Sequence, residues 1–255
     1  MSLAPGALAA RVDTREIWRG LLDLLLPVHC VVCEGRVETS DDVVCGPCWT
    51  RLVPLPHPQC ERCGHPTRGR PCRWCVGLPP YVRTVRSACW FAGAAAEGVV
   101  RAIKYDGWSA VARGMAERMG RLTWPADVVD ERAALVPVPL SAARRRERGY
   151  NQSALLAGHL ARRWHVPVWD DVLGRTRNTR TQTRLTPEER LRNVAGAFLA
   201  SAGARDRLRG AHVVLVDDVV TTGATVSACA AALAAGGARI VSCVTFARAP
   251  SSGDR

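Results

Sequence analysis

Apolar residues along this chain gather in short runs separated by glycines, prolines and arginine clusters, and the runs are of two kinds. Compact valine-rich runs at Val82 to Phe91, Ala134 to Pro139, Val166 to Leu173, Val213 to Val216 and Ile240 to Phe246 predict β-strands. Longer stretches at Ala94 to Ile103, Trp108 to Leu122, Ser153 to Trp164 and Val226 to Ala235 predict helices. The turn Tyr105-Asp106-Gly107 parts the first two helices, and Gly236-Gly237 stops the last. Strands that alternate with helices predict an α/β fold built on a parallel sheet. Ile17 to Val28 has the spacing of an amphipathic helix closed by Pro27. Arg19 and Asp23 interrupt it and it is too short to span a bilayer, so no membrane insertion is expected. No secretory signal is visible, and a cytoplasmic protein is expected.

The run Val213 to Val216 leads into Asp217 and Asp218, then into the loop Thr221-Thr222-Gly223-Ala224-Thr225 and an alanine-rich helix. Strand, acidic turn, small-residue loop and helix place that loop at the carboxyl end of a parallel strand, where ligands of open α/β sheets bind. Backbone N–H groups at a helix N-terminus favour an anion, and small residues let a phosphate come close. Two carboxylates beside such a cradle suit a neutral polyol. A phosphate next to a carboxylate-bound diol describes ribose 5-phosphate.

Eight of the 11 cysteines form four CxxC pairs between residues 30 and 75: Cys30/Cys33, Cys45/Cys48, Cys60/Cys63 and Cys72/Cys75. Two such knuckles complete a tetrahedral Zn²⁺ site, so eight thiolates imply two zincs. Sequential pairing joins the first pair with the second and the third with the fourth; cross-braced pairing joins first with third and second with fourth. All-cysteine sites leave no open coordination position, which makes the metal structural. His29, His57 and His65 lie nearby as surface or supporting residues, because eight cysteines already satisfy two zincs. Cys89, Cys229 and Cys243 stand alone in apolar surroundings as core thiols.

The formal net charge of +12 is carried almost wholly by arginine, since Lys104 is the one lysine. No GxxxxGK[ST] sequence exists, which excludes a P-loop nucleotidase. Between Arg144 and Arg192 lie 12 arginines and 5 acids, a net of +7, so a polyanion site is expected there. Arg144, Arg145, Arg146 and Arg148 follow the end of a predicted strand, where guanidinium groups would grip a pyrophosphate bidentately. Residues 1 to 80 carry nine arginines against eight acids. Arg175 to Asn193 reads as a long polar loop containing Gln182 and a short helix marked by Thr186, Pro187 and Glu189, suited to act as a lid. Gly77-Leu78-Pro79-Pro80 is the linker candidate, dividing residues 1–78 from 79–255.

The segment 213 to 225 resembles the phosphoribosyl-pyrophosphate signature of class I phosphoribosyltransferases, with Asp217 and Asp218 in the ribose-hydroxyl places and Thr221 to Thr225 in the 5-phosphate loop. The cysteine pairs, Val136-Pro137-Val138-Pro139, Arg146 to Gln152, the Gln182 loop, Arg190, Asn193 and the acidic signature together resemble the ComF family from Leu21 to Phe246. The resemblance implies a class I phosphoribosyltransferase fold, a Rossmann-like parallel sheet flanked by helices and preceded by a double zinc ribbon. It also implies phosphoribosyl pyrophosphate with Mg²⁺ as ligand and a cytosolic role in handling incoming single-stranded DNA with DNA-uptake proteins. Two functions follow from it: a pentosyl-transferring enzyme, or a binding protein that senses a phosphoribosyl ligand or grips a nucleic acid or partner.

Overall fold

The computed structural model describes residues 28–37, 42–67, 72–75, 77–176, 194 and 196–251. In chain order the elements are α1 (Gly46–Thr50), β1 (Val82–Trp90), α2 (Gly93–Lys104), α3 (Val111–Met119), α4 (Ala126–Glu131), β2 (Arg132–Pro137), α5 (Ala142–Arg148), α6 (Gln152–Trp164), β3 (Leu173–Arg175), β4 (Phe198–Ala200), α7 (Arg205–Leu208), β5 (His212–Val220), α8 (Ala224–Ala235) and β6 (Ile240–Arg248). Short 3-10 turns occupy Arg73–Cys75 and Ala202–Ala204.

Strands β1, β6, β5 and β2 form a parallel sheet in that order, with β6 and β5 its two central and almost wholly buried members. Alternate residues of β5 point to opposite faces: Val214 and Val216 join α2, α3 and α6, while Val213 and Leu215 join α8 and the β3–β4 hairpin. An unbroken aliphatic run is what a strand covered on both faces needs. The expected strand over Val166 to Leu173 is the main departure. Val168 makes one parallel bridge to Leu135, and Leu173 instead opens an antiparallel pair with β4. Pro167 has no N–H to give, and the exposed Asp170 and Asp171 carry the chain away from the sheet edge. The remaining predicted strands and helices stand within a few residues of their expected ends. The helix expected over Ile17 to Val28, apart from Val28, and the Gln182 loop with Arg190 and Asn193 lie outside the described residues.

The cysteine-rich segment is packed into the sheet's helical face rather than held apart from it. Cys30, Val44, Cys45, Cys48 and Trp49 share one buried cluster with α2, α3, α6 and Phe246. Trp49 meets Phe246 edge-on, with ring centroids 6.4 Å apart, and Arg118 covers its other side with its guanidinium carbon 3.7 Å from the ring centroid. The indole seats on Gly114 of α3, where a Cβ would lie 2.4 Å from the ring. Further along, Val85 donates to the Arg62 carbonyl (2.8 Å), Thr84 to the Glu61 carbonyl (2.6 Å), and Arg248 of β6 to the Cys63 carbonyl. The segment has little apolar material of its own, and it borrows the sheet's core.

That seat yields a prediction. Gly114→Ala is expected to push Trp49 off α3, cost about 1–3 kcal/mol as an overpacked core does, and speed chelator-driven metal loss from the cysteines at 30–48. Loss from the cysteines at 60–75 should keep its wild-type rate. Thermal unfolding and a two-phase metal-release assay check both halves.

Candidate functional site

The cysteines gather into two sets, Cys30/Cys33/Cys45/Cys48 and Cys60/Cys63/Cys72/Cys75, and within each the sulfurs lie no more than 4.8 Å from one another. Of the two pairings open to the sequence, the sequential one is what the fold brings together. Burial presses the Cys30 thiol upward, but backbone N–H groups of Cys45, Val32 and Cys33 aimed at its sulfur bring it down to about 7. Cys60 likewise falls to about 7 against its burial, through the N–H of Cys63, the Cys75 thiol and the N–H of Arg62. Four converging thiols with N–H donors turned on a sulfur suit one tetrahedral Zn²⁺ per set. His65 takes no part, being buried against Trp74 with ring centroids 4.6 Å apart. His29 and His57 are exposed. Metal analysis of protein purified under reducing conditions should find two zincs per chain, and Cys30→Ser should lower the count to one; a wild-type value below one would remove the assignment.

At the carboxyl ends of β2, β5 and β6 a cavity of about 580 Å³ opens between α2, α5 and the loop after β5. Asp217 and Asp218 lie at its floor, both buried. Thr221, Gly223 and Thr225 form one wall. Gly223 takes a left-handed backbone (φ 80°) to turn the chain into α8, a conformation with little cost for glycine alone. Thr222 and Ala224 do not line the cavity: the Thr222 hydroxyl accepts from the Ala224 N–H at 3.4 Å, and Ala224 is buried. Opposite this wall stands α5, capped by the Ser141 hydroxyl, which accepts from the Arg144 N–H, and ended by Gly149. The four arginines that follow β2 therefore sit on a helix. Its 3.6-residue turn puts Arg144 and Arg148 on the cavity side and leaves Arg145 and Arg146 exposed outside it.

The carboxylates are in different electrical states. The Ser153 hydroxyl donates to Asp217 Oδ1 at 3.1 Å, and the Asp218 N–H donates to the same oxygen at 3.0 Å. Burial first, then the neighbouring Asp218 charge, push the Asp217 carboxyl up to about 8. Burial acts on Asp218 in the same sense, but Lys104 Nζ lies 2.5 Å from its Oδ2 and holds it below the usual carboxylate range. Gln152 donates to Asp218 Oδ1 at 3.4 Å and accepts from Arg148 at 3.0 Å. Lys104, Gln152 and Ser153 are thus site residues that motif reading missed. Ser153 was predicted only as the beginning of a helix, and Gln152 only as the end of the Arg146 to Gln152 stretch that carries the family resemblance. Lys104 carried one signal, its solitude among arginines.

Residues 21–76 match the double zinc ribbon domain family, and residues 151–255 match the phosphoribosyl transferase domain family. The DNA utilization protein YhgH of Salmonella typhimurium is 32% identical over 227 residues, covering 86% of this chain and 96% of its own. Competence protein ComFC of Bacillus subtilis is 30% identical over 214 residues, covering 77% and 84%. Competence protein F of Haemophilus influenzae is 26% identical over 205 residues, covering 78% and 87%. The chain belongs to the ComF family.

In this ComF chain the stretch between the two matched domains, residues 77–150, is not idle connection: it supplies β1, β2, Lys104 and the arginines of α5. The fold is the expected one, a parallel sheet flanked by helices with a zinc ribbon domain ahead of it. Among the described residues no helix is long and apolar enough to cross a membrane.

The raised Asp217 makes the protein's stability depend on pH. A group whose folded-state value lies above its ordinary one favours folding fully below that ordinary value and loses the contribution as pH rises through the folded one. For Asp217 the window runs from 3.8 to about 8. Asp217→Asn imitates the protonated form, so the variant should match the wild type near pH 3.5 and overtake it near pH 8.5, by on the order of several kcal/mol at about 1.36 kcal/mol per pH unit. Denaturant titrations of both proteins at the two pH values measure the crossover.

Proposed function

We propose that the cavity binds phosphoribosyl pyrophosphate together with Mg²⁺, and that the chain uses this ligand in DNA uptake during natural transformation. What supports the reading above all is one arrangement: two buried carboxylates between a small-residue helix N-terminus and a pair of arginines, all on one cavity. Asp217 and Asp218 would accept from the ribose 2- and 3-hydroxyls. The loop Thr221 to Thr225 would hold the 5-phosphate, through the backbone N–H groups at the start of α8 and the hydroxyls of Thr221 and Thr225. Arg144 and Arg148 would take the pyrophosphate, with Arg145 and Arg146 adding positive field from outside. Mg²⁺ would be held chiefly by the ligand's own phosphate oxygens and water, as a small hard cation prefers. In the transferase form of the reading, pyrophosphate leaves C1 with the bonding pair while an acceptor nucleophile bonds to C1 and releases its proton. The protein's part is positioning and charge stabilisation. The names of the relatives, DNA utilization and competence proteins, support the biological half of the proposal.

Calorimetry tests it. The wild type should bind phosphoribosyl pyrophosphate with Mg²⁺. Asp217→Asn combined with Asp218→Asn should lose at least about tenfold in affinity, since a hydrogen bond to the ionised Asp218 contributes about 1.5–3 kcal/mol. Zinc content should be unchanged. Equal affinity in the double variant would sink the reading.

A second reading, a single-stranded DNA or partner adaptor without catalysis, is favoured by the rim of the cavity. Tyr105 is 63% exposed there, beside the exposed Arg101 and with Arg148 over its ring, and Trp108, three residues on, is 44% exposed. Aromatic faces beside arginines are how single strands are held without sequence preference. Tyr105→Ala should cost about 1–3 kcal/mol of single-strand affinity at an unchanged salt slope. Replacing Arg144, Arg145 and Arg146 by Ala should flatten the slope by up to about two phosphate contacts, near 0.7 log units each. Fluorescence anisotropy across a salt series measures both, and pyrophosphate release with candidate acceptors separates enzyme from adaptor.

A further inference from the structure

The chain's 35 basic residues are 34 arginines and Lys104, and that lysine lies in the cavity against a buried carboxylate. In a protein with arginine at every other Lys/Arg position, the one compact ammonium is the one set against this carboxylate. Arginine grips a carboxylate through two parallel bonds from a rigid plane. Lysine is a compact charge on a flexible stem with three rotatable donors. Position 104 therefore asks for a cation that can let go.

The surroundings fit that requirement. Lys104 is the last residue of α2, anchored by the buried Ile103 before it and followed by an exposed turn from Tyr105 to Ala110 in which Gly107 has φ 75°. Its side chain is 22% exposed, whereas that of its partner Asp218 is 4% exposed. With Lys104 on Oδ2 and Gln152 on Oδ1, both oxygens of Asp218 are engaged. Asp218 Oδ2 is buried with the ammonium against it, so a sugar hydroxyl reaches that oxygen only when the ammonium moves. Arg148 stands near enough to cover the ring of Tyr105, the residue next to Lys104, and it donates to Gln152, which donates to Asp218. An anion held by Arg144 and Arg148 thus shares one cavity with the ammonium. Arg101, Arg144, Arg148 and Arg175 line the same cavity and raise the pull of any anion within it.

Resting on the phosphoribosyl reading above, we propose that Lys104 is a latch on Asp218, and that it makes recognition of a vicinal diol conditional on an anion at the Arg144–Arg148 side of the cavity. A pyrophosphate oxygen draws the ammonium off Oδ2, and the freed oxygen accepts the sugar hydroxyl. A diol without the anion meets an occupied carboxylate. An anion without a diol leaves a buried charge uncompensated, which is costly. A ligand that carries both satisfies both groups, so the latch selects sugar pyrophosphates over sugars and over free pyrophosphate. Lys104 is on this account a specificity-determining residue.

The experiment titrates ribose 5-phosphate calorimetrically, alone and in saturating inorganic pyrophosphate with Mg²⁺, into wild type, Lys104→Met and Lys104→Arg. The wild type should bind ribose 5-phosphate about tenfold more tightly in the presence of pyrophosphate, an ordinary size for coupling between sites. Lys104→Met should bind it alone at least as tightly as the unassisted wild type and lose the coupling. Lys104→Arg should bind it weakly with and without pyrophosphate. Because the chain has one lysine, lysine-specific ¹³C labelling gives a single Cε signal, which should move when pyrophosphate alone is added to the wild type. Coupling retained in Lys104→Met, or a Cε signal indifferent to bound pyrophosphate, overturns the latch. Should Lys104→Met fail to fold, Lys104→Arg and the wild-type signal decide. If neither ligand binds the wild type, the phosphoribosyl reading falls and the latch with it; if both bind without coupling, the latch alone falls.

Discussion

Two adjacent carboxylates at the buried end of an aliphatic strand are an expensive thing to build, and much of this fold answers that expense. Left alone, Asp217 and Asp218 could not both stay ionised in the interior. Helix α2 ends where it does to set Lys104 on one of them, and α6 begins where it does to give Gln152 and Ser153 to both. These helices pack on the same face of the sheet, so the arrangement of the layer and the ionisation of the site are one problem solved together. The outcome is asymmetric: one carboxyl is held ionised by an ammonium, and the other is pushed toward neutrality.

The cysteine sites answer a different shortage. Among the described residues, those before the sheet contribute few large apolar side chains, and metal–thiolate bonds hold what a core cannot. Yet the segment is not self-sufficient even with its metals. Trp49 is buried between Gly114, Arg118 and Phe246, all from the sheet domain. Arg86 and Arg248, nearly buried on β1 and β6, direct guanidinium N–H groups at the carbonyls of Cys60, Glu61 and Cys63. Two arginines placed deep in a protein are stable only where carbonyls meet them, and the zinc knuckle supplies those carbonyls.

What the sequence made legible was what is local. The strand Val213 to Val216, its acids and its small-residue loop are contiguous, so their geometry follows from neighbours alone, and the CxxC spacing likewise encodes its own knuckle. What stayed hidden depends on contacts across long stretches of chain. Lys104 and Asp218 are far apart in sequence, and nothing near position 104 announces a carboxylate. The arginines after β2 were visible as a cluster, but their division into cavity-facing and outward-facing pairs needed the helix, and the Ser141 cap that starts it is a weak signal beside four arginines. Val166 to Leu173 has strand composition, but Pro167 and the acids after Trp169 decide its course.

The linker Gly77-Leu78-Pro79 carries one last lesson. Arg62 of the third knuckle donates to the carbonyls of Leu78 (2.7 Å) and Pro79 (2.6 Å), the Ser227 hydroxyl reaches the Gly77 carbonyl at 3.4 Å, and the Leu78 side chain comes within van der Waals reach of where a Cβ on Gly223 would stand. The turn that opens α8 is therefore braced from outside by the residues that leave the ribbon. Such a chain is not a pair of exchangeable beads. A ribbon transplanted from another protein would have to bring its own Leu78 to the right spot, and recombination at the joint would disturb both neighbours at once.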